Sequence, residues 1–239
     1  MKKTGSKIGR VLFYVVLFLA ALPAWWVVWF MLCGSLLPVD ELKATIGAVL
    51  SGEPGYAQWP LLPSWPTLQP LVELLLDTPR FFAMFWNTFK LVIPSVMGQM
   101  LIGAPAAWAL SRLQFSGRKL LMTVYVVLML MPFQVTMVPN YLVADRPGLM
   151  DTIWAVVLHF AASAYPVFIM SKSFDAVPRT MLEAASIDGA GYFRTFFSIG
   201  LPLGMPGIIS ALVLGFLECW NAIEQPMTFL KDPARQPLA

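Results

Sequence analysis

The polar side chains that interrupt an otherwise apolar sequence are the residues that could carry chemistry. Cys33 and Cys219 lack the CxxC spacing of a metal or redox site, and His159 is the only histidine. We interpret the cysteines as small buried apolar residues and His159 as a residue of helix packing or of the membrane interface. An intramembrane enzyme would use Glu218, His159 or Glu224, but the sequence shows no obvious catalytic partner for His159.

The sequence lacks the features of a nucleotide or nucleic-acid site. It contains no GxxxxGK[ST] phosphate-binding loop, and its Lys and Arg residues form no run interleaved with aromatic residues. If ATP drives this protein, another subunit therefore binds the ATP and its Mg²⁺. We expect no cofactor, metal ion or nucleic acid on this chain.

The elements that position these residues are membrane helices. The chain of 239 residues is 58% hydrophobic and 12% charged, with a mean hydropathy of +0.71, more apolar than a soluble domain of this size. A spanning helix needs about 20 apolar residues. The sequence predicts a single all-α transmembrane domain over 1–239, with five spans at 8–32, 84–110, 119–138, 152–172 and 200–222. The first span is too long and too aromatic for a cleaved signal peptide.

The loops predict the orientation of the chain. Residues 33–80 are rich in Pro, Trp and Gly and form a predicted outer loop with one or two short helices. Inner loops retain Lys and Arg, which favours a cytoplasmic N-terminus and places the loop 173–199 in the cytoplasm. The predicted inner charges are Lys2, Lys3, Lys7, Arg10, Arg112, Arg118, Lys119, Lys172, Arg179 and Arg194.

A charged, glycine-containing stretch, EAASIDGAGYFRTFFSIGLP, runs from Glu183 to Pro202. Pro178 suits the first turn of a short helix, Asp188-Gly189 ends it, and a second amphipathic piece follows. Two interpretations fit this pattern: a helix that lies among the lipid headgroups, or an element that docks on another protein.

The spacing of this stretch resembles the signature of the inner-membrane permeases of binding-protein-dependent ABC importers, in particular the carbohydrate-type permeases related to the maltose system. The matching residues are Glu183, Ala184, Ala185, Asp188, Gly189, Ala190, Ile199, Leu201 and Pro202. The segments FWNTF, LSRLQFSGRKLL, MPFQVTMVPNYL, GLMDT and WN occur in the family's order. The resemblance therefore covers nearly the whole chain.

The resemblance implies a type I importer permease fold with about six transmembrane helices and a cytoplasmic coupling helix. The implied partners are a second homologous permease, two ABC ATPase subunits and an extracytoplasmic solute-binding protein, at a bacterial plasma membrane. Family members continue beyond the segment EQPMTFLKDPARQPLA into a sixth helix, so we expect five spans here and six in the natural protein.

The resemblance also assigns roles within the coupling loop. Glu183 pairs with polar groups of an ATPase cleft, while Ala184 and Ala185 allow close approach. Gly189 allows the turn, and Asp188 either caps the local backbone or contacts the partner.

The substrate path is less clear from sequence. Polar residues inside a membrane are candidates because they are costly there, although Glu218 is equally compatible with the outer interface. The candidates are Gln134, Tyr165, Glu218, Trp220 and Asn221. By resemblance the cargo is a sugar or oligosaccharide. Glycerol phosphate, a polyamine or another polar solute remains an alternative, as does a scaffold without a path.

Overall fold

The computed structural model describes residues 7–238 except 53, 55, 59 and 61. Lys2 and Lys3, used above for orientation, and four positions of the predicted outer loop lie outside the described residues. The described residues form helices and turns without a β-strand, which confirms the all-α prediction. The α-helices are α1 (Lys7–Gly34), α2 (Val39–Leu50), α3 (Gln69–Val72), α4 (Pro79–Gly98), α5 (Ala104–Arg112), α6 (Arg118–Leu130), α7 (Phe133–Asp145), α8 (Ile153–Ala161), α9 (Ala164–Asp175), α10 (Arg179–Ile187), α11 (Tyr192–Thr195), α12 (Leu201–Trp220) and α13 (Glu224–Phe229).

Several of these helices join through π turns or short breaks into longer membrane helices. Four are long and apolar enough to cross a bilayer, namely Gly9–Gly34, Pro79–Arg112, Ile153–Asp175 and Tyr192–Trp220. Helices α6 and α7 form a fifth candidate, but they are bent by 109° at their junction. The prediction of five spans therefore holds if this bent pair is counted as one.

The bend lies at Met131-Pro132, inside the predicted third span. Met131 has ψ 125° and Pro132 has ψ 149°, both outside the helical range. A proline has no N–H to donate and disfavours helical backbone in the residue before it. The predicted third span at 119–138 is therefore two helices that meet at Pro132.

The last membrane helix starts earlier than predicted. The predicted fifth span starts at residue 200, but the helix runs without interruption from Tyr192 to Trp220. A π turn at Phe196–Gly200 precedes Pro202. Such a turn relaxes the backbone where a proline ring meets the preceding turn, so the helix continues.

The chain divides into two compact units, Met1–Pro79 and Arg80–Ala239. In the first unit the side chains of α1 are mostly exposed, as expected for a helix that faces lipid. The predicted outer loop contains α2 and α3. It is held by backbone and side-chain hydrogen bonds, including Thr67 N–H to the Leu36 carbonyl at 3.0 Å and Ser64 Oγ to Glu41 at 2.9 Å.

The second unit is built around α9, which packs against α5 and α12. Glycines on α12 allow this contact: a Cβ at Gly207 would lie 2.1 Å from the Ser173 Cβ, and one at Gly204 would lie 2.5 Å from the Phe174 ring. Membrane helices associate through such small residues because lipid removes most of the hydrophobic drive between helices. Trp108, Phe174 and Phe196 are buried together here, at the end of the bundle that carries Glu183–Pro202, called the loop end.

The opposite end of the second unit has its own buried cluster, which includes Phe160, Cys219 and Phe229. Residues 224–238, called the C-terminal strap, lie against this end. The Asn87 side-chain amide donates to the Ala234 carbonyl at 2.7 Å, and the Leu238 N–H donates to Thr88 Oγ1 at 2.9 Å. Cys33 and Cys219 are both buried, as interpreted from the sequence.

Candidate functional site

The stretch Glu183–Pro202 folds as a helical hairpin at the loop end, called the coupling hairpin. Its first helix, α10, begins after Pro178, and its C-terminal carbonyls at Ala184 and Ala185 accept the N–H groups of Asp188 at 3.0 Å and Ala190 at 2.9 Å. Gly189 has φ +76°, the left-handed conformation that L side chains rarely adopt. The turn predicted at Asp188-Gly189 is therefore present.

The predicted coupling residues differ in their exposure. Glu183 and Ala184 are exposed on α10, whereas Ala185 is buried at 8% exposure within this chain. Asp188 ends the helix through its backbone, and among the described residues no donor contacts its exposed carboxylate. Pro202 lies in the first turn of α12, and Ala190 is half-buried at the turn.

Large apolar side chains surround these positions without cover from this chain. Ile187, Tyr192 and Phe193 are 87%, 78% and 83% exposed. Exposed apolar surface of this kind, next to a polar rim, marks a contact with lipid or with another protein.

Sequence reasoning missed the group that holds the root of α10. The Arg112 guanidinium, at the end of α5, donates to the carbonyls of Phe174 and Val177, the latter one residue before Pro178. The Phe174 carbonyl lies in the last turn of α9 and also accepts the Val177 N–H at 3.1 Å, whereas the Val177 carbonyl lies beyond the end of α9. Arg112 therefore fixes the segment from which the coupling hairpin emerges.

Three further hydrogen bonds complete this group, which we call the arginine clamp and which consists of Ser111, Arg112, Arg118 and Asp175. Arg118 donates to the carbonyls of Leu110 at 2.6 Å and Ser111 at 2.7 Å, and Ser111 Oγ donates to Asp175 Oδ1 at 2.8 Å. A basic residue at a helix C-terminus is the sequence signal that could have suggested it. These arginines were used above only for orientation.

A second feature is a cavity of about 520 Å³ towards the opposite end of the same unit. It lies between α7, α8 and the ends of α9 and α12. Tyr165 and Glu218, two predicted path residues, line it. His159 lines it too, with its ring centroid 6.0 Å from that of Phe133 and 6.1 Å from that of Phe229. The further polar residues of the lining are Thr136, Asn140, Ser163 and Gln225.

The three other predicted path residues do not line this cavity. Gln134 donates to Glu224 Oε1 at 2.7 Å, and Asn221 donates to the Leu217 carbonyl at 2.8 Å. Trp220 stacks on Phe216 with ring centroids 5.4 Å apart. The structure therefore brings Tyr165 and Glu218 together with His159, Asn140 and Gln225, which the sequence did not single out for a path.

Curated relatives are similar to part of this chain. The diacetylchitobiose uptake system permease of Streptomyces coelicolor is 33% identical over 62% of this chain and 50% of its own length. The polygalacturonan/rhamnogalacturonan transport system permease of Bacillus subtilis is 33% identical over 64% of this chain and 52% of its own length. The chain thus spans about half the length of these relatives.

A solved structure shares the fold. It is a crystal structure of a bacterial ABC transporter involved in the import of the acidic polysaccharide alginate, and it matches with a TM-score of 0.80 at 22% identity. The match covers 100% of this chain and 80% of the other. The predicted importer permease fold is therefore confirmed.

A family model matches residues 99–233, from the π turn of the second span to the C-terminal strap. These residues include both the coupling hairpin and the cavity. The matched family is described as the inner membrane component of binding-protein-dependent transport systems. Because this match covers more than half of the chain, the protein belongs to that family.

Proposed function

We propose that this chain is a non-catalytic membrane subunit of an ATP-driven, binding-protein-dependent importer for a sugar or oligosaccharide. The observation that carries the proposal is the coupling hairpin, an exposed helical element whose root is held by the arginine clamp. A connector that transmits force between subunits must move as a rigid piece. The hairpin meets that requirement because Arg112 joins its root to the end of the second span.

The exposed surface of the hairpin supports docking on a cytoplasmic ATPase. Glu183 offers a carboxylate and Ala184 offers almost no steric bulk, while Ile187 and Tyr192 offer apolar area. An interface of this kind combines apolar anchors with a polar rim. We infer that Ala185 supports the helix from within, because it is buried in this chain.

The remaining partners follow from the proposed function. A second permease completes the membrane path, two ATPase subunits bind ATP and Mg²⁺, and a binding protein delivers the cargo from outside. This arrangement puts the N-terminus and the coupling hairpin in the cytoplasm of a bacterium. The names of the two curated relatives, both of carbohydrate systems, support a saccharide cargo over glycerol phosphate or a polyamine.

The test is ATP hydrolysis by the assembled transporter. The chain is co-expressed with its partner permease, ATPases and binding protein, reconstituted in nanodiscs, and assayed with a panel of sugar-loaded binding proteins. We expect one sugar to stimulate hydrolysis, and Glu183→Lys to abolish that stimulation by placing a repelling charge at the docking surface.

Gly189→Val and Gly191→Ala form a matched pair for the turn. Valine at φ +76° costs roughly 1–2 kcal/mol in backbone strain, whereas Gly191 has φ −71° and open space around it. We expect Gly189→Val to insert into the membrane normally but to lose the sugar-stimulated ATP hydrolysis. We expect Gly191→Ala to retain that stimulation. Full stimulation of ATP hydrolysis in both Glu183→Lys and Gly189→Val would contradict the proposed role of the hairpin in coupling.

A further inference from the structure

The charges that line the cavity differ from what an acidic cargo requires. None of the lining residues, all of which are described, is a lysine or an arginine, and Glu218 is the only carboxylate among them. Arg146 neighbours the lining residue Pro147 along the chain, but its own side chain is exposed outside the lining. An anion in this cavity would therefore meet no compensating cation from this chain.

The lack of a lysine or arginine in the lining affects the free energy of binding an anion. A charged group taken from water into a less polar site is costly, and an opposite charge nearby offsets that cost more than neutral hydrogen-bonding groups do. A second carboxylate near Glu218, whose own side chain is exposed, adds Coulomb repulsion. The cavity thus disfavours a uronate or a sulfated sugar.

The same lining suits a neutral polyhydroxylated ligand. Asn140, Tyr165 and Gln225 offer hydrogen-bond donors and acceptors, and the Glu218 carboxylate can accept two hydroxyl groups. Phe133, which is half-buried, supplies an apolar ring on the cavity wall. Apolar walls with a few convergent polar groups, in a volume of about 300–1,000 Å³, are typical of small-ligand sites.

We propose that this cavity is a saccharide site that accepts neutral sugars and rejects acidic ones, with Glu218 as the selecting residue. The proposal rests on the proposed function and narrows its substrate class. It also separates this chain from two proteins that it resembles, one named for polygalacturonan transport and one for import of the acidic polysaccharide alginate.

The test compares two tetrasaccharides that differ only at C6, β-1,4-mannotetraose and β-1,4-tetramannuronate. Their binding to the assembled transporter in nanodiscs, without binding protein, is measured by saturation-transfer-difference NMR at low salt and neutral pH. We expect mannotetraose to bind roughly tenfold or more tightly than tetramannuronate.

The variant Glu218→Gln locates this preference in the cavity. It keeps a hydrogen-bonding side chain but removes the negative charge, so the tenfold preference should fall several-fold. Glu224→Gln is the matched control, because Glu224 lies at the same end of the unit, outside the lining, and pairs with Gln134. This control should keep the wild-type preference.

Several outcomes overturn the inference. Tetramannuronate binding as tightly as mannotetraose, no binding of either sugar, or an unchanged preference in Glu218→Gln would each do so. The first two outcomes are measured on the wild-type protein, so they decide the matter even if Glu218→Gln fails to fold. ATP hydrolysis that depends on Glu183 and Gly189, measured on the same preparation, reports separately on the proposed function.

Discussion

Asp151 shows how a single residue can organise a distant segment. Its Oδ1 accepts the N–H groups of Lys231 and Asp232 at 3.0 Å each, and its own N–H donates to the Phe229 carbonyl at 2.9 Å. The Arg235 side chain donates to its carbonyl. Its φ of +58° is one that aspartate tolerates better than most residues.

These contacts stabilise the charged form of Asp151. The N–H of Asp232, together with that of Lys231 and the nearby charges of Arg235 and Lys231, lowers the pKa of the Asp151 carboxyl from its ordinary value of 3.8. A carboxyl with a lowered pKa in the folded state stabilises that state fully above its ordinary pKa, and this stabilisation is lost as the pH falls below it. The C-terminal strap should therefore loosen only in acid.

The pH dependence can be measured with a fluorophore on the exposed position of Ala234→Cys, since Cys33 and Cys219 are buried. We expect high fluorescence anisotropy from pH 7 to about 5 and a fall below about pH 4. Asp151→Asn keeps an acceptor but cannot titrate, so its anisotropy should not show that transition. The same acid transition in Asp151→Asn would rule out Asp151 as its cause.

At the scale of elements, the arginine clamp links three helices. Arg112 extends from the end of α5 to carbonyls at and just beyond the end of α9, and α10 begins two residues after the second of them. The end of the second span is therefore joined to the segment before the coupling hairpin by side-chain hydrogen bonds as well as by the chain itself. The planar guanidinium serves both carbonyls, which a lysine cannot do with the same geometry.

Removal of the clamp should loosen α10. Arg112→Ala removes the side-chain donor from both carbonyls. The Phe174 carbonyl keeps the Val177 N–H at 3.1 Å, so the main cost is at the Val177 carbonyl, about 1–3 kcal/mol if it stays dry. We expect hydrogen exchange across 173–190 to rise about tenfold in Arg112→Ala and less in Arg112→Lys. Lys119→Ala, at an exposed position in the first turn of α6, is the control and should exchange as the wild type does. Equal protection in all four proteins would argue against the clamp.

At the scale of the whole molecule, the second unit depends on close contact between α9 and α12. Gly207 faces Ser173 so closely that no side chain fits between the helices without a shift. Close packing replaces hydrophobic burial as the main attraction between helices in lipid. The contact therefore sets the distance between α9 and α12 in the second unit.

A single methyl group tests this contact. Gly207→Ala should cost about 1–3 kcal/mol by overpacking, and should lower the apparent unfolding midpoint in detergent by roughly 2–10 °C. Exposure of the buried cysteines to a thiol-reactive dye on heating reports the transition. At Gly103 a Cβ would meet its nearest atom at 3.5 Å, an ordinary contact, so Gly103→Ala should unfold as the wild type does. Equal midpoints for the two variants would contradict this account.

The sequence by itself determined the features that depend on neighbouring residues. Long apolar runs predicted membrane helices, since lipid requires each backbone segment to satisfy its own hydrogen bonds. The pair Asp188-Gly189 predicted the turn of the coupling hairpin, because glycine alone adopts positive φ freely. The spacing of Glu183–Pro202 predicted the family, which the match over 99–233 confirms.

Tertiary structure decided the features that depend on residues far apart in the chain. Prolines appear alike in sequence, yet Pro132 divides one span while Pro202 lies within a continuous helix, because the backbone before each proline differs. Glu218 and Tyr165 line one cavity, whereas Gln134 donates a hydrogen bond to Glu224 outside it. No local sequence pattern predicts which of these distant residues lie close together. Such contacts follow from how the helices pack, and packing alone placed Arg112 on the carbonyls that hold the coupling hairpin.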